Sequence, residues 1–195
     1  MPQKILLLCK RLFIILLFGI FILWYKHIAN LYINPENAIH QYGKDANRNV
    51  IDFVKFEEDN KMHYIFCTEQ SLNSMRLQQN AFGLWHLSST SGSSLLIKQQ
   101  MHPTFAYDVL YLSETAIIYG CPLLDNVKEA CLIIDTGKET IKMSYLFEDT
   151  SKLFWFDLGD YYGLYKKIEL ELVSQEGILV SNDILFQRMV DEKGR

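Results

Sequence analysis

In 167–172 the sequence reads Lys-Ile-Glu-Leu-Glu-Leu, so polar and apolar side chains alternate with a period of two. Successive side chains of a β-strand point to opposite faces, and this stretch therefore predicts a strand with one buried face. A turn of Gln-Glu-Gly follows at 175–177. Most other apolar runs after residue 50 are short and are closed by turn residues in the same way, which indicates a mainly β protein.

One short helix interrupts this pattern. It is predicted for 34–43, because Asn34 is a good N-cap, Pro35 fits the first helical position and Gly43 fits the C-terminal stop. The polar stretch 88–94, rich in Ser and Gly, is expected to be a flexible break. Short strands separated by turns favour a sandwich or a barrel-like fold. The predicted strands are 50–56, 62–67, 72–77, 82–87, 95–97, 116–119, 131–134, 140–147, 153–156, 168–173 and 178–180.

The chain divides into three parts on this interpretation. Residues 1–33 form a cytoplasmic stub and a membrane anchor. Residues 34–92 form the short helix and a four-stranded meander, and residues 93–195 form a second, mostly β unit. The two β parts can share one core.

The N-terminal part has the charge and apolar pattern of a membrane anchor. Lys4, Lys10 and Arg11 precede the uncharged apolar run 12–25, which ends in Trp24 and Tyr25. Basic residues mark the cytoplasmic flank of a membrane helix, and aromatic residues suit the interface. We therefore expect a single-pass protein of the cell membrane, with the lipid bilayer as partner, the N-terminus in the cytoplasm and the C-terminal domain outside.

Three interpretations of this segment stay open, and the uncleaved anchor is the first. The run 12–25 has 14 residues, whereas a spanning helix needs about 20, so the span must extend past Lys26 or back through residues 5–8. A cleaved signal peptide has similar regions, but His27 stands where a small residue is wanted, and Cys9 precedes the apolar run, unlike a lipoprotein cysteine. A soluble protein with a buried helix is the third alternative.

The part beyond the basic flank is acidic. Three of the 19 Lys and Arg residues precede Leu12 and all 23 Asp and Glu residues follow it, so the remainder carries 16 − 23 = −7. This charge does not favour nucleic acid or anionic lipid as its partner. An unknown protein or cell-surface ligand is the expected partner.

Cys67, Cys121 and Cys131 lie outside the anchor. Small secreted domains held by disulfides have denser cysteines. A bridge between Cys121 and Cys131 requires that they lie on neighbouring strands; otherwise all three are expected to be buried, inert thiols.

Two stretches of the sequence have catalytic patterns as alternatives to a structural role. Leu-Ile-Ile-Asp-Thr-Gly at 132–137 matches the signature of aspartic proteases, but the chemistry needs a second Asp, and the chain has no second Asp-Thr-Gly or Asp-Ser-Gly. We therefore interpret Asp135 as a turn residue. Cys67 with His63, His86 or His102 suggests a thiol nucleophile, but nothing nearby marks an activated cysteine.

No metal site and no cofactor are predicted. The five His residues are scattered, without the local pairs typical of zinc sites. Glu148, Asp149, Asp157 and Asp160 gather acidic groups near loops, but they lack the Asp-x-Asp-x-Asp pattern of a calcium loop, so solvated acidic turns are expected.

The densest aromatic stretch supplies the candidate interaction surface. Three tyrosines in 161–165 cannot all point inward from so short a segment, so at least one is expected to be exposed, as is common where a partner binds. The predicted surface comprises Trp155, Asp157, Asp160, Tyr161, Tyr162 and Tyr165.

The chain also resembles a known group of proteins. Pro-Glu-Asn-Ala-Ile at 35–39, Phe-Gly-Leu-Trp at 82–85, Ile-Tyr-Gly at 118–120 and Leu-Phe-Trp-Phe at 153–156 are similar to small membrane-anchored or secreted proteins of bacilli. The resemblance implies a Gram-positive cell-surface setting, in which scarce disulfides are normal, and implies no activity. We therefore expect a non-enzymatic interaction module; an extracytoplasmic hydrolase and a small-ligand-binding β domain are the alternatives.

Overall fold

The computed structural model describes residues 2–28, 31–46, 48–95, 104–148 and 151–187. Strands dominate these residues, with two α-helices and one 3-10 helix, so the predicted mainly β character is confirmed. The helices are α1 (Pro2–Ile28), α2 (Glu36–Asp45) and the 3-10 helix Gly159–Tyr161. The strands are β1 (Leu31–Tyr32), β2 (Val50–Glu58), β3 (Lys61–Thr68), β4 (Ser71–Gln79), β5 (Trp85–Ser94), β6 (Phe105–Tyr111), β7 (Ala116–Pro122), β8 (Val127–Asp135), β9 (Thr140–Leu146), β10 (Phe154–Asp157), β11 (Lys167–Ser174) and β12 (Leu179–Gln187).

The strands form three antiparallel sheets. Sheet I has the order β1-β5-β4-β3-β2, sheet II the order β10-β7-β6, and sheet III the order β12-β11-β8-β9. Most neighbours in the sheets are also neighbours in sequence, as expected where short turns join antiparallel strands. In β11 the alternation seen in the sequence is the alternation of burial, since Ile168, Leu170 and Leu172 are buried and the Glu residues between them are half-buried.

Sheet II is covered on both faces. In β7, Ala116 and Ile118 belong to a core shared with sheet III, whereas Ile117 and Tyr119 belong to a core shared with sheet I. A small sheet covered on both faces needs continuous apolar strands, which explains the uncharged sequence of β7. The three sheets are therefore packed as layers, with sheet II in the middle.

Helix α2 covers the outer face of sheet I. The Asn34 side chain accepts a hydrogen bond from the backbone N–H of Glu36 (3.0 Å), just before the helix. The N-cap residue is Pro35 and not Asn34, so the helix begins one residue later than predicted. Ala38 and Ile39 are buried against this face. The helix continues two residues beyond the expected stop at Gly43, where an added Cβ would lie 2.9 Å from the Arg48 backbone oxygen.

A polar contact links sheet I to the start of β10. Asp52 lies at an irregularity in the pairing of β2 with β3. One of its carboxylate oxygens, Oδ2, accepts hydrogen bonds from the backbone N–H groups of Lys152 (2.8 Å) and Leu153 (3.1 Å) and from the Ser151 hydroxyl (3.2 Å). Charged acceptors make stronger hydrogen bonds than neutral ones, so this contact fixes the junction of sheets I and II.

The N-terminal helix α1 departs from the expected membrane span. Within the parts of the chain described here, no helix is both long and apolar enough to cross a membrane. The uncharged run 12–25 covers about 21 Å at ~1.5 Å per residue, which is less than the ~30 Å of a bilayer core.

Several strand predictions were wrong. The stretch 88–94, expected to be a flexible break, is the second half of β5 and pairs with β4 from Ser94 opposite Ser71 to Thr90 opposite Met75. Residues 82–84 form a turn, in which the Asn80 side chain accepts the backbone N–H groups of Phe82 and Leu84. Strand β6 was not predicted at all. Residues 96 and 97 of the predicted strand 95–97 lie outside the described residues.

Candidate functional site

The candidate site lies where the turn between β6 and β7 meets the segment 157–165. The turn is anchored from sheet I, because Glu58 on β2 accepts the backbone N–H of Ser113 (2.7 Å). It is anchored from the other side by Thr115, whose hydroxyl donates to the Asp157 carboxylate and accepts the backbone N–H of Gly159 (2.8 Å). Hydrogen bonds to both neighbours therefore hold this turn in one place.

The segment after β10 is shaped by Asp157 and two glycines. The Asp157 carboxylate also accepts the backbone N–H of Gly159 (2.9 Å), which starts the 3-10 helix Gly159–Tyr161. Gly159 (φ 48°) and Gly163 (φ 88°) adopt the left-handed conformation that glycine tolerates best. Both glycines lie in the connection of β10 to β11.

The three tyrosines of this segment have different environments. Tyr161 and Tyr165 are half-buried and pack against the core between sheets II and III. Tyr162 is 41% exposed, and its ring centroid lies 6.4 Å from that of Tyr111, which is 58% exposed. The expectation that the three rings cannot all be buried is confirmed by Tyr162.

The other predicted surface residues are divided in the same way. Trp155 is half-buried, and its ring packs edge-on against Phe56 at 5.2 Å between the centroids. Asp157 and Asp160 are exposed, but the Asp157 carboxylate is occupied by the hydrogen bonds of the turn. Of the six residues, Asp160 and Tyr162 are thus the ones the structure leaves available on the surface.

Sequence reasoning missed Tyr111 and Glu114. Both are exposed at the turn that follows β6. The signal was present, because Phe-Ala-Tyr-Asp-Val-Leu-Tyr at 105–111 has high β-propensity and ends before a polar turn.

A buried histidine lies next to Glu58, the residue that holds the same turn. His63 is fully buried, and its Nε2 lies 3.2 Å from Glu58 Oε2, while no hydrogen-bond partner for its Nδ1 is found in the described part of the chain. Burial and the positive charge of Arg76 lower the pKa of His63. Hydrogen bonds from Ser113 lower the pKa of Glu58 to about 2. At neutral pH a neutral imidazole therefore lies beside the ionised carboxylate that accepts the Ser113 N–H.

The stretch that matches the aspartic-protease signature forms a turn, as predicted for Asp135. Asp135 ends β8, and its carboxylate accepts the backbone N–H of Gly137 (2.6 Å), while the Thr136 hydroxyl accepts that of Glu139 (3.2 Å). These are the hydrogen bonds of a tight turn, with Gly137 at φ 80°.

The cysteines outside α1 are all unpaired and buried. Burial raises the pKa of the Cys67 and Cys121 thiols to about 12 each, so both are protonated at neutral pH and are poor nucleophiles. Cys121 lies on β7 in sheet II and Cys131 on β8 in sheet III, so the two are not on neighbouring strands of one sheet, and of the two alternatives the structure has the buried, unpaired thiols. Sequence spacing cannot show that consecutive strands belong to different sheets.

The described part of the chain contains no cluster of metal-ligating side chains. No group of three or more His, Cys, Asp or Glu side chains there could hold a metal ion. His86 is half-buried on β5, and Glu148 and Asp157 are exposed in separate loops. His102 and Asp149 lie outside the described residues.

Comparison with known proteins adds no relative. No protein family, curated protein or solved structure matches this chain.

Proposed function

We propose that this chain is a non-enzymatic interaction module that helix α1 holds at a membrane. The proposal is carried by the exposed ring pair of Tyr111, at the end of β6, and Tyr162, in the segment after β10. The turn after β6 is hydrogen-bonded to β2 of sheet I and to the segment after β10. Aromatic side chains on a rigid support offer a large contact area at a low cost in conformational entropy. The stacked sheets form a sandwich-like scaffold for this surface.

The chemistry of the surface favours a protein partner with basic and apolar side chains. We define the tyrosine surface as Tyr111, Glu114, Asp160, Tyr162 and Leu164, all of which are exposed. In the sequence, Glu114 lies close to Tyr111 and Asp160 lies close to Tyr162. Acidic groups and aromatic rings together attract Lys and Arg through charge and through cation–π contact. The charge of −7 beyond the basic flank acts in the same direction over a longer range.

Helix α1 supports the membrane part of the proposal. Its large apolar side chains between Leu12 and Tyr25 are 49–67% exposed, so the described residues of the protein do not cover them. Lipid covers such a helix, with the basic Lys10 and Arg11 and the aromatic Trp24 and Tyr25 at the level of the headgroups. The single-pass topology, the outward placement of the sheets and the likeness to surface proteins of bacilli stay predictions.

Site-directed photo-crosslinking tests the tyrosine surface. A photoreactive phenylalanine analogue replaces Tyr162 in the membrane-bound protein, and the matched control places it at Leu146 on β9, which is 63% exposed. We expect one discrete adduct from position 162 and none of the same size from position 146. Asp160→Lys in the same chain should abolish the adduct, because it reverses the charge beside the ring.

Two outcomes would overturn this assignment. Identical adducts from positions 162 and 146 would mean that crosslinking follows exposure alone. An adduct that persists at full yield with Asp160→Lys and Tyr111→Ala would place the contact elsewhere.

Extraction of membranes with alkaline carbonate tests the role of α1. Replacing Ile15 and Phe18 by Ser should release the protein from vesicles, since each Ser removes apolar contact with lipid. The control replaces Ile178 and Leu179, which are exposed apolar residues of the β12 region, and should leave the protein bound. Release of the control and retention of the α1 variant would contradict the proposal.

A further inference from the structure

A pocket of about 740 Å³ lies between α2, β4 and β5. It is at the end of sheet I opposite to the end that contacts the turn between β6 and β7. Its wall includes Tyr42 at the end of α2, and its floor includes Ser71 and Asn73 at the start of β4. Arg48 and Glu69 also line it. A concave site with a few convergent polar groups is the usual form of a small-molecule site.

The floor of the pocket is a buried network of polar side chains. The Ser71 hydroxyl lies 2.8 Å from the Thr68 hydroxyl, accepts from the Asn73 amide (2.9 Å) and accepts from the Arg48 guanidinium (3.2 Å). Asn73 also accepts from the Tyr42 hydroxyl (3.4 Å). Ser71 and Asn73 are 3% and 2% exposed. Such networks fix their members in one arrangement when all are satisfied.

Gly92 on β5 makes room for this floor. A Cβ added at Gly92 would lie 2.2 Å from Asn73 Oδ1, and no side chain fits there unless Asn73 moves. Glycine inside a strand weakens the strand and commonly marks a close approach of another group. Gly92 is therefore unfavourable for the strand itself, but its small size leaves room for the Asn73 amide at the floor of the pocket.

Two opposite charges line the pocket without pairing. The Arg48 guanidinium donates to Ser71, and no carboxylate of the described residues lies within the 4.0 Å of an ion pair. Glu69 lines the same pocket and is exposed. Paired charges would neutralise each other, whereas separated charges in one concavity suit a ligand that carries both signs.

We propose that this pocket binds a small zwitterion, a free α-amino acid, with the carboxylate at Arg48 and the ammonium group at Glu69. Arg48 is suited to the carboxylate because its planar guanidinium presents several donors and one is already oriented by Ser71. The polar floor contributes hydroxyl and amide groups to the rest of the ligand. This activity is independent of the tyrosine surface and of the membrane helix.

Titration of the full chain with single L-amino acids at millimolar concentration tests the proposal, by thermal shift and by calorimetry. At least one amino acid should bind, and its N-acetyl and amide derivatives should bind about tenfold or more weakly, because each lacks one charge. Arg48→Gln and Glu69→Gln should weaken binding by a similar factor. Lys44→Gln is the matched control, since Lys44 lines the neighbouring concavity and should not change the affinity.

Glu69→Gln keeps the test decisive even if Arg48→Gln perturbs the floor, since Glu69 is exposed. Three results would overturn the proposal. These are no binding of any of the amino acids, acetate binding as tightly as the amino acid, or an affinity that Glu69→Gln leaves unchanged.

Discussion

The run 12–25 in α1 and the strand β7, Ala116–Pro122, are both apolar and uncharged, yet they have opposite environments. Every large apolar residue of β7 is at most 5% exposed, because sheets I and III cover its two faces. The large apolar residues of 12–25 are about half exposed or more. An apolar run therefore shows that a segment needs a cover, and only the surrounding topology shows whether the chain itself supplies that cover.

The largest effect is expected from shortening matched isoleucines in the two regions. Ile118→Ala should lower the free energy of unfolding by about 4 kcal/mol, because it leaves a cavity between sheets II and III. Ile15→Ala removes the same atoms from a side chain that is 67% exposed and should change the unfolding of the sheets by less than about 0.5 kcal/mol. Urea unfolding in detergent, followed by Trp fluorescence, measures both.

Equal losses in these two variants would break the comparison. They would mean that α1 packs on the sheets in solution and is covered by the protein itself.

A second pair of variants adds a methyl group instead of removing atoms. At Gly120 in β7, an added Cβ would lie 2.3 Å from the Ala106 backbone oxygen and 2.5 Å from the Phe154 ring. Gly120→Ala should therefore cost about 3 kcal/mol, at the upper end for overpacking. Gly19→Ala in α1 meets nothing within 4 Å and should slightly favour the helix. Circular dichroism during thermal unfolding distinguishes the two results.

Stability at acidic pH tests how firmly the turn that carries the tyrosine surface is held. The pKa of Glu58 is lowered from 4.5 to about 2 in the folded protein. The contribution of the Glu58 carboxylate to the free energy of unfolding is therefore complete above pH 4.5 and is lost as the pH falls toward 2. The pKa of His63 is lowered from 6.5, so folding also becomes less favourable as the pH falls below 6.5, where the unfolded His63 binds a proton more readily than the folded one.

Glu58→Gln isolates the carboxylate from the histidine. The stability difference between the wild type and this variant should shrink by about 1 kcal/mol from pH 7 to pH 3, after solvent screening is allowed for. Glu57→Gln, on the exposed face of β2, is the control and should show no such change. A constant difference for Glu58→Gln would show that the hydrogen bond to Ser113 does not hold the turn.

The sequence predicts local features of this fold better than their assembly. The alternation at 167–172 and the turn at Asp135 were identified correctly, because strand period and turn chemistry depend on a few neighbouring residues. The strand at 88–94 was missed, since its Ser residues acquire strand structure from pairing with β4 and from the Ser74–Ser91 hydrogen bond (2.8 Å). Strand propensity depends on such neighbours, which one sequence does not reveal.

In the candidate site too, local features could be predicted from the sequence, but their assembly could not. The sequence predicts that at least one of the three tyrosines is exposed, because the short segment cannot bury every ring, but it does not single out Tyr162. Its contact with Tyr111 joins residues 51 positions apart in sequence, and the bonds of the turn to Glu58 and Asp157 come from two other strands. The Arg48 pocket was not predicted at all, since its floor depends on the close approach of Gly92 to Asn73.

The smallest effect on stability is expected at Asp135. Its side-chain hydrogen bond lies within one local turn, whereas the contacts of β7 are long-range. Asn retains the side-chain oxygen that accepts the Gly137 N–H (2.6 Å), so Asp135→Asn should change stability by less than about 0.5 kcal/mol. Asp135→Ala removes that acceptor and should cost about 1 kcal/mol, as an ordinary hydrogen bond does. Urea midpoints of the two variants give the difference, and the crosslink at position 162 should form with unchanged yield in both. Loss of that crosslink in Asp135→Asn, with the fold intact, would reveal a role for the carboxylate that its turn geometry does not require.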